Sequence, residues 1–163
     1  PRPAAAEDRR TGEFWHHEAP LASLPAPVVH VESDVTANGR RALRLRLEPG
    51  QEAWQLRIRV SGADVWSASV NAKAIARPAD AAKASRDEWD LRFFNPGADG
   101  IALVLELEPA KPFTLRATTY LLGLPALASG SAPPRPGNVM PNHEGDLTLV
   151  THATQFAAAA GLN

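Results

Sequence analysis

The sequence predicts an all-β fold, a two-sheet antiparallel β-sandwich of about eight or nine strands. Three observations predict it. Apolar and polar residues alternate with period two in segment after segment, the mark of strands with one buried face. Turn-forming Gly, Pro, Asn and Asp clusters punctuate these segments every eight to twelve residues. No stretch shows a long helical period.

The stretch that organises the chain is Asp87 to Pro109. Trp89, Leu91 and Phe93 share one face, and Asp90 and Arg92 the other. After the turn formers Asn95-Pro96-Gly97-Ala98-Asp99-Gly100, Ile101, Leu103, Leu105 and Leu107 share a face against Glu106 and Glu108. This reads as a hairpin.

Taken in order, residues 1–27 read as a linker and edge segment, 28–156 as the sandwich, and 157–163 as a loosely held tail. The first segment is rich in proline and charge, with Phe14 and Trp15 as anchoring rings and a short strand around Glu13 to His17. Val28 to Val35 is the first strand of the body. Asn38-Gly39 is a strong two-residue hairpin signal. Arg41 to Glu48 places Leu43, Leu45 and Leu47 inward, with Arg44 and Arg46 outward. Pro49-Gly50 turns the chain, and Trp54, Leu56, Ile58 and Val60 then alternate with Gln55, Arg57 and Arg59.

If these two strands pair through that turn, parity sets Leu47 against Trp54, Leu45 against Leu56 and Leu43 against Ile58. Arg44 then opposes Arg57, which costs some tenths of a kcal/mol, and Glu106 and Glu108 are the expected relief.

Val65 to Val70 is a strand, turning at Asn71-Ala72 into a short return over Lys73 to Ala76. Arg77 to Arg86 is a loop. Phe113 to Leu122 is a strand, Gly123 to Asn142 a long proline-rich loop, and Asp146 to Phe156 a final strand. The expected core is Val31, Leu43, Leu45, Leu47, Trp54, Leu56, Ile58, Trp66, Val70, Trp89, Leu91, Phe93, Leu103, Leu105, Leu115 and Leu149.

At 163 residues the chain suits one domain, and 44% hydrophobic with 21% charged residues describes a globular protein. A formal net charge of −1 provides no global field toward nucleic acid or anionic membranes. With no cysteine, disulfides and thiolate zinc sites are excluded. The longest uncharged run, Ala117 to Pro134, is broken by polar residues and prolines, so no membrane insertion by a helix is expected. There is no initiator Met and no apolar leader, so the chain is expected to be a fragment or processed form.

Chemistry is sparsely signalled. His16-His17-Glu18 and His143-Glu144-Gly145-Asp146 hold ligand types, but adjacent strand residues face opposite ways and neither cluster has a matching pair nearby. No nucleophile elbow and no phosphate loop is present. The expectation is therefore a fragment that is not an enzyme, without catalytic residues, metal or cofactor. Arg44, Arg46, Arg57 and Arg59 form the candidate interaction surface. A carbohydrate- or peptide-binding module is the alternative, with Trp15 and Tyr120 as ring platforms.

The C-terminal third carries a family resemblance. Thr119-Tyr120-Leu121-Leu122-Gly123-Leu124-Pro125 leads to Arg135-Pro136, Val139-Met140-Pro141 and Gly145-Asp146-Leu147-Thr148-Leu149-Val150. This resembles the end of bacterial membrane-anchored zinc aminopeptidases of the M-twenty-eight peptidase family. Such chains often finish with a Tyr-Gly-Leu-Pro corner, an Arg-Pro…Met-Pro loop and an Asp-x-Thr-Leu-Val strand. Trp89 to Phe94 and the Pro25-to-Leu47 opening are also similar, although Leu122 departs from the pattern before Gly123. The resemblance implies a non-catalytic periplasmic accessory domain, tethered to the membrane through a missing N-terminal part. Its implied partner is the peptidase domain of the same parent chain, which would carry the zinc ligands.

Overall fold

The computed structural model describes residues 5–8, 12–15, 22–76, 88–125, 137–138 and 147–159, the first two ranges by backbone alone. Its strands are β1 (Ala5–Asp8), β2 (Gly12–Trp15), β3 (Val28–Ala37), β4 (Arg40–Glu48), β5 (Gln55–Ser61), β6 (Val65–Val70), β7 (Lys73–Ala74), β8 (Glu88–Phe94), β9 (Ile101–Leu107), β10 (Phe113–Leu122) and β11 (Leu147–Phe156). By contacts the chain divides into two units. One takes in Pro1–Ser23 and Pro125–Val139, and the other Leu24–Leu124 and Met140–Asn163. In the first, β1 and β2 form an antiparallel hairpin, where the sequence suggested one short strand.

The second unit is the all-β sandwich. A five-stranded antiparallel sheet runs β3-β4-β9-β6-β7, and a four-stranded one β11-β10-β5-β8. Alternation in the sequence builds the core directly. In the larger sheet Leu43, Leu45 and Leu47 stand across from Leu105, Leu103 and Ile101, and β9 continues the rows to Ala68 and Val70. In the smaller, Leu56, Ile58 and Val60 stand across from Thr119, Ala117 and Leu115. All these leucines and isoleucines are fully buried. Each such side chain contributes roughly 1.5–3 kcal/mol of burial. Thr119, the one polar member, donates its hydroxyl to the Pro49 carbonyl at 3.0 Å, so its buried oxygen is not left bare.

Two expected hairpins are instead crossings between sheets. β4 and β5 do not pair: β4 lies between β3 and β9, and β5 between β10 and β8. Leu47 therefore faces Ile101 and Val29, not Trp54. Likewise β8 pairs with β5, while β9 pairs with β4 and β6. The organising stretch is thus an arch that supplies one strand to each sheet. Gly100 lets the arch close. At φ +69° a Cβ there would stand 1.9 Å from the Leu47 carbonyl oxygen. The Asn38-Gly39 hairpin forms as expected, with both φ values positive at 51° and 72° as a primed turn requires. So does the Asn71-Ala72 turn, at 48° and 63°.

Four expected core residues are exposed. Trp66 is the extra residue of a β-bulge: Val65 opposes Leu107 and Ser67 opposes Glu106, which turns its ring out to solvent. Val31 lies on the edge strand β3, where a second bulge begins and little covers it. Leu149 pairs with Tyr120 on the outward phase of β10, so the inward residue of β11 there is Val150. Trp54 stands one residue before β5, at the end of the sheet. Trp89, Leu91 and Phe93 are half-buried and pack on the core from β8.

One end of the sandwich is closed by a buried charge. Arg41 shares the inward phase of Leu43 and is 5% exposed. Its Nε and Nη2 donate to both Asp34 oxygens at 2.8 and 2.6 Å, and its Nη1 to the Ala157 carbonyl at 2.6 Å. The guanidinium lies over Phe113 and Phe156, whose rings stack at 4.6 Å. The tail is therefore held at its start, and Ala159 donates further to the Pro109 carbonyl at 2.9 Å. The loops over Arg77 to Arg86 and nearly all of Gly123 to Asn142 lie outside the described residues, as do both histidine clusters and the side chains of Phe14 and Trp15.

Candidate interaction face

The outer face of the four-stranded sheet is set out by register. Its side chains form cross-strand rows running from β11 through β10 and β5 to β8. One row is Leu149, Tyr120, Gln55 and Phe94. The next is Thr151, Thr118, Arg57 and Arg92. The third is Ala153, Arg116, Arg59 and Asp90. An aromatic and apolar row thus lies directly beside two rows rich in arginine.

Exposure marks the two edges of the first row, whereas Gln55 between them is buried. Phe94 is 53% exposed, Leu149 54%, and Leu122 at the end of β10 74%. Trp54 joins them from the sheet end. Its amide donates to the Tyr120 carbonyl at 3.0 Å, and its carbonyl accepts from Asn95 at 2.9 Å. Its ring meets Phe94 edge-on, with centroids 5.4 Å apart. Trp54 and Phe94 thus form an exposed aromatic pair at one edge of the sheet, and Leu122 and Leu149 stand in water toward the other, with Gln55 and Tyr120 between them. Scattered single apolar residues need no explanation, but a contiguous patch marks a binding surface.

The arginine rows are only partly neutralised. Arg57 grips Asp90 through Nε and Nη2 at 2.9 and 2.6 Å. That pairing holds the Asp90 carboxyl below the usual carboxylate range and, together with the nearby Tyr120 hydroxyl, raises the guanidinium of Arg57. Arg59 Nε lies 3.1 Å from Glu88 Oε1, close enough for an ion pair, yet it is buried and makes no hydrogen bond. Arg92 and Arg116 are exposed and form no ion pair among the described residues. Arg57 stands directly opposite Arg92, and Arg59 opposite Arg116.

The four arginines singled out from the sequence do not share a surface. Arg57 and Arg59 lie on this face. Arg44 and Arg46 lie on the outer face of the five-stranded sheet, across from Val104 and Ala102. Arg44 never opposes Arg57. Glu106 takes Arg40 at 3.2 Å, and Glu108 takes Lys111 at 3.1 Å, so neither glutamate relieves the arginines expected. Asp90, from the neighbouring strand of the same sheet, does so for Arg57. Trp66 is the ring of the opposite face, with Arg40 over it at 5.6 Å. The sequence placed Trp54 in the core, and it did not single out Phe94, Arg92 or Arg116 for the interaction surface. For Phe94 the signal was present, since it falls out of phase with Leu91 and Phe93.

No group of three or more His, Asp or Glu side chains able to hold a metal occurs among the described residues. No helix among them is long and apolar enough to cross a membrane. Compared with known protein families, curated proteins and solved structures, the chain matches none.

Proposed function

We propose that this chain is a non-catalytic accessory domain that docks on a protein partner through the outer face of its four-stranded sheet. The observation that carries the reading is the exposed Trp54–Phe94 pair, with Leu122 and Leu149 exposed on the same face, beside arginines. Trp, Tyr and Arg are the residues that dominate binding energy at protein interfaces. The resemblance of the Thr119-to-Pro125 and Gly145-to-Val150 motifs to membrane-anchored zinc aminopeptidases supplies the partner: the peptidase domain of the parent chain, in the periplasm. On this reading the domain positions or gates the peptidase and holds no catalytic group.

The test is direct. Hydrogen exchange is measured on the purified chain with and without the parent's peptidase domain. Protection is expected around Trp54, Phe94 and Tyr120 to Leu122, and should disappear in Phe94→Ala. Protection confined to the other sheet would overturn the docking face. Hydrolysis of aminoacyl substrates by the isolated chain after metal removal and readdition would overturn the non-catalytic role.

A second reading, a carbohydrate-binding module, is favoured by the contact of the Phe94 and Trp54 rings, with Tyr120 in the same row. The leucines beside them weigh toward a protein partner, because alkyl side chains offer no flat platform to a sugar. Binding on a glycan array that is lost in Trp54→Ala would favour this second reading.

A further inference from the structure

We infer that the partner meets this face with an acidic protein segment, in which carboxylates flank an apolar anchor. The inference rests on the docking reading above and specifies the chemistry of what docks.

Charge carries the argument. Among the described residues the face presents Arg57, Arg59, Arg92 and Arg116 against Asp90 and Glu88. The chain as a whole carries a net charge of −1, so the positive excess is local. Two of the cross-strand neighbours are arginine against arginine, an arrangement unfavourable in the free sheet. Asp90 already gives both oxygens to Arg57, and Glu88 stands 3.1 Å from the Nε of Arg59 without a hydrogen bond. Arg92 and Arg116 are left as planar donors in solvent, the geometry that takes a carboxylate two-pronged.

Position completes it. Arg92 sits two residues from Asp90 and next along β8 from Phe93 and Phe94, on the edge strand of the sheet. A carboxylate reaching Arg92 therefore arrives one row from the Phe94 and Trp54 rings. Leu122 and Leu149 extend the apolar side of the footprint. Bases or sugar rings would stack on the aromatics but gain little from those leucines. A protein segment with a Leu, Phe or Trp between acidic residues uses both halves.

The experiment is a selection of linear peptides from a displayed random library on the immobilised full chain. Enriched sequences should combine Asp or Glu with a large apolar residue, and their affinity should fall as salt rises. Arg92→Glu with Arg116→Glu should weaken them about tenfold or more, as truncating paired interfacial charges does. Both positions are exposed, so an unchanged melting temperature checks the fold. Neutral or basic peptides that need Phe94 but ignore the arginine reversals would overturn the acidic partner while leaving the docking face intact. Peptides indifferent to both, or no enrichment, would count against both. Binding of oligodeoxythymidylate or polygalacturonate through Arg92 and Arg116, without acidic peptides, would overturn the protein segment in favour of another polyanion.

Discussion

Arg41 shows how one residue can belong to the core and to electrostatics at once. Its phase puts it inside, and Asp34, the Ala157 carbonyl and two phenylalanine rings make that tolerable. Removing one partner of such a pair leaves a charge stranded, which is far costlier than the pair is stabilising. Asp34 keeps a third of its side chain in water, so Asp34→Asn is expected to cost roughly 1–3 kcal/mol, at the low end of buried-pair losses. For a domain of this size each kcal/mol lowers the melting temperature by about 2–4 °C, which a thermal scan reads.

The same contact sets the acid behaviour. The hydrogen bonds from Arg41 hold Asp34 below its usual pKa, and those from Arg57 do so for Asp90. A carboxylate depressed in the folded state stabilises it above the unfolded pKa. That stability drains away as pH falls from about 4 toward the folded values. Melting temperature should therefore be flat around neutrality and fall below pH ~4, with a shallower fall in Asp34→Asn. The inward phase of Arg41 was legible in the alternation of Arg41, Leu43, Leu45 and Leu47. Its partner was not, because a bulge between Val31 and Ser33 is what brings Asp34 opposite Leu43.

At the scale of elements, the strands were legible and their partners only in part. Every strand of the sandwich falls where alternation placed it. The Asn38-Gly39 hairpin was legible because a primed turn has its own sequence chemistry. The links at Pro49-Gly50 and Asn95 to Gly100 were not, for a physical reason. Both sheets turn their apolar faces to one shared core, so a hairpin and an arch give identical inward patterns. What distinguishes the second arch is Gly100, pressed against the Leu47 carbonyl. Gly100→Ala would combine a left-handed backbone with that clash, and a loss of at least about 2 kcal/mol is expected by urea unfolding. Gly97, with open space around the same added carbon, is the control: its replacement should cost about 1–2 kcal/mol, the backbone term alone.

For the whole molecule, neighbours in space are distant in sequence. β10 is flanked by β5 and by β11, and β4 by β9. Loop closure must precede these contacts, so refolding is expected in milliseconds to seconds, the range of all-β sandwiches, and stopped-flow fluorescence measures it. The candidate face has the same long-range character. The outward phase of Arg57 and Arg59 was readable strand by strand. That Arg44 and Arg46 lie on the other sheet, and that Phe94, Tyr120 and Leu149 form a row, depends on which strands adjoin.

The closure around Arg41 also gives the last strand a direction of opening. β11 lies at the margin of its sheet, with β10 on one side. Its Phe156 end is pinned by ring stacking and by the guanidinium, while Leu147 and Leu149 at the other end stand in or near water. The strand should peel like a zipper from its start, with amides near Leu147 exchanging with solvent sooner than those near Phe156. Asp34→Asn, by loosening the pin, should erase that gradient, so that a side chain on the opposite sheet governs which end of β11 frays first.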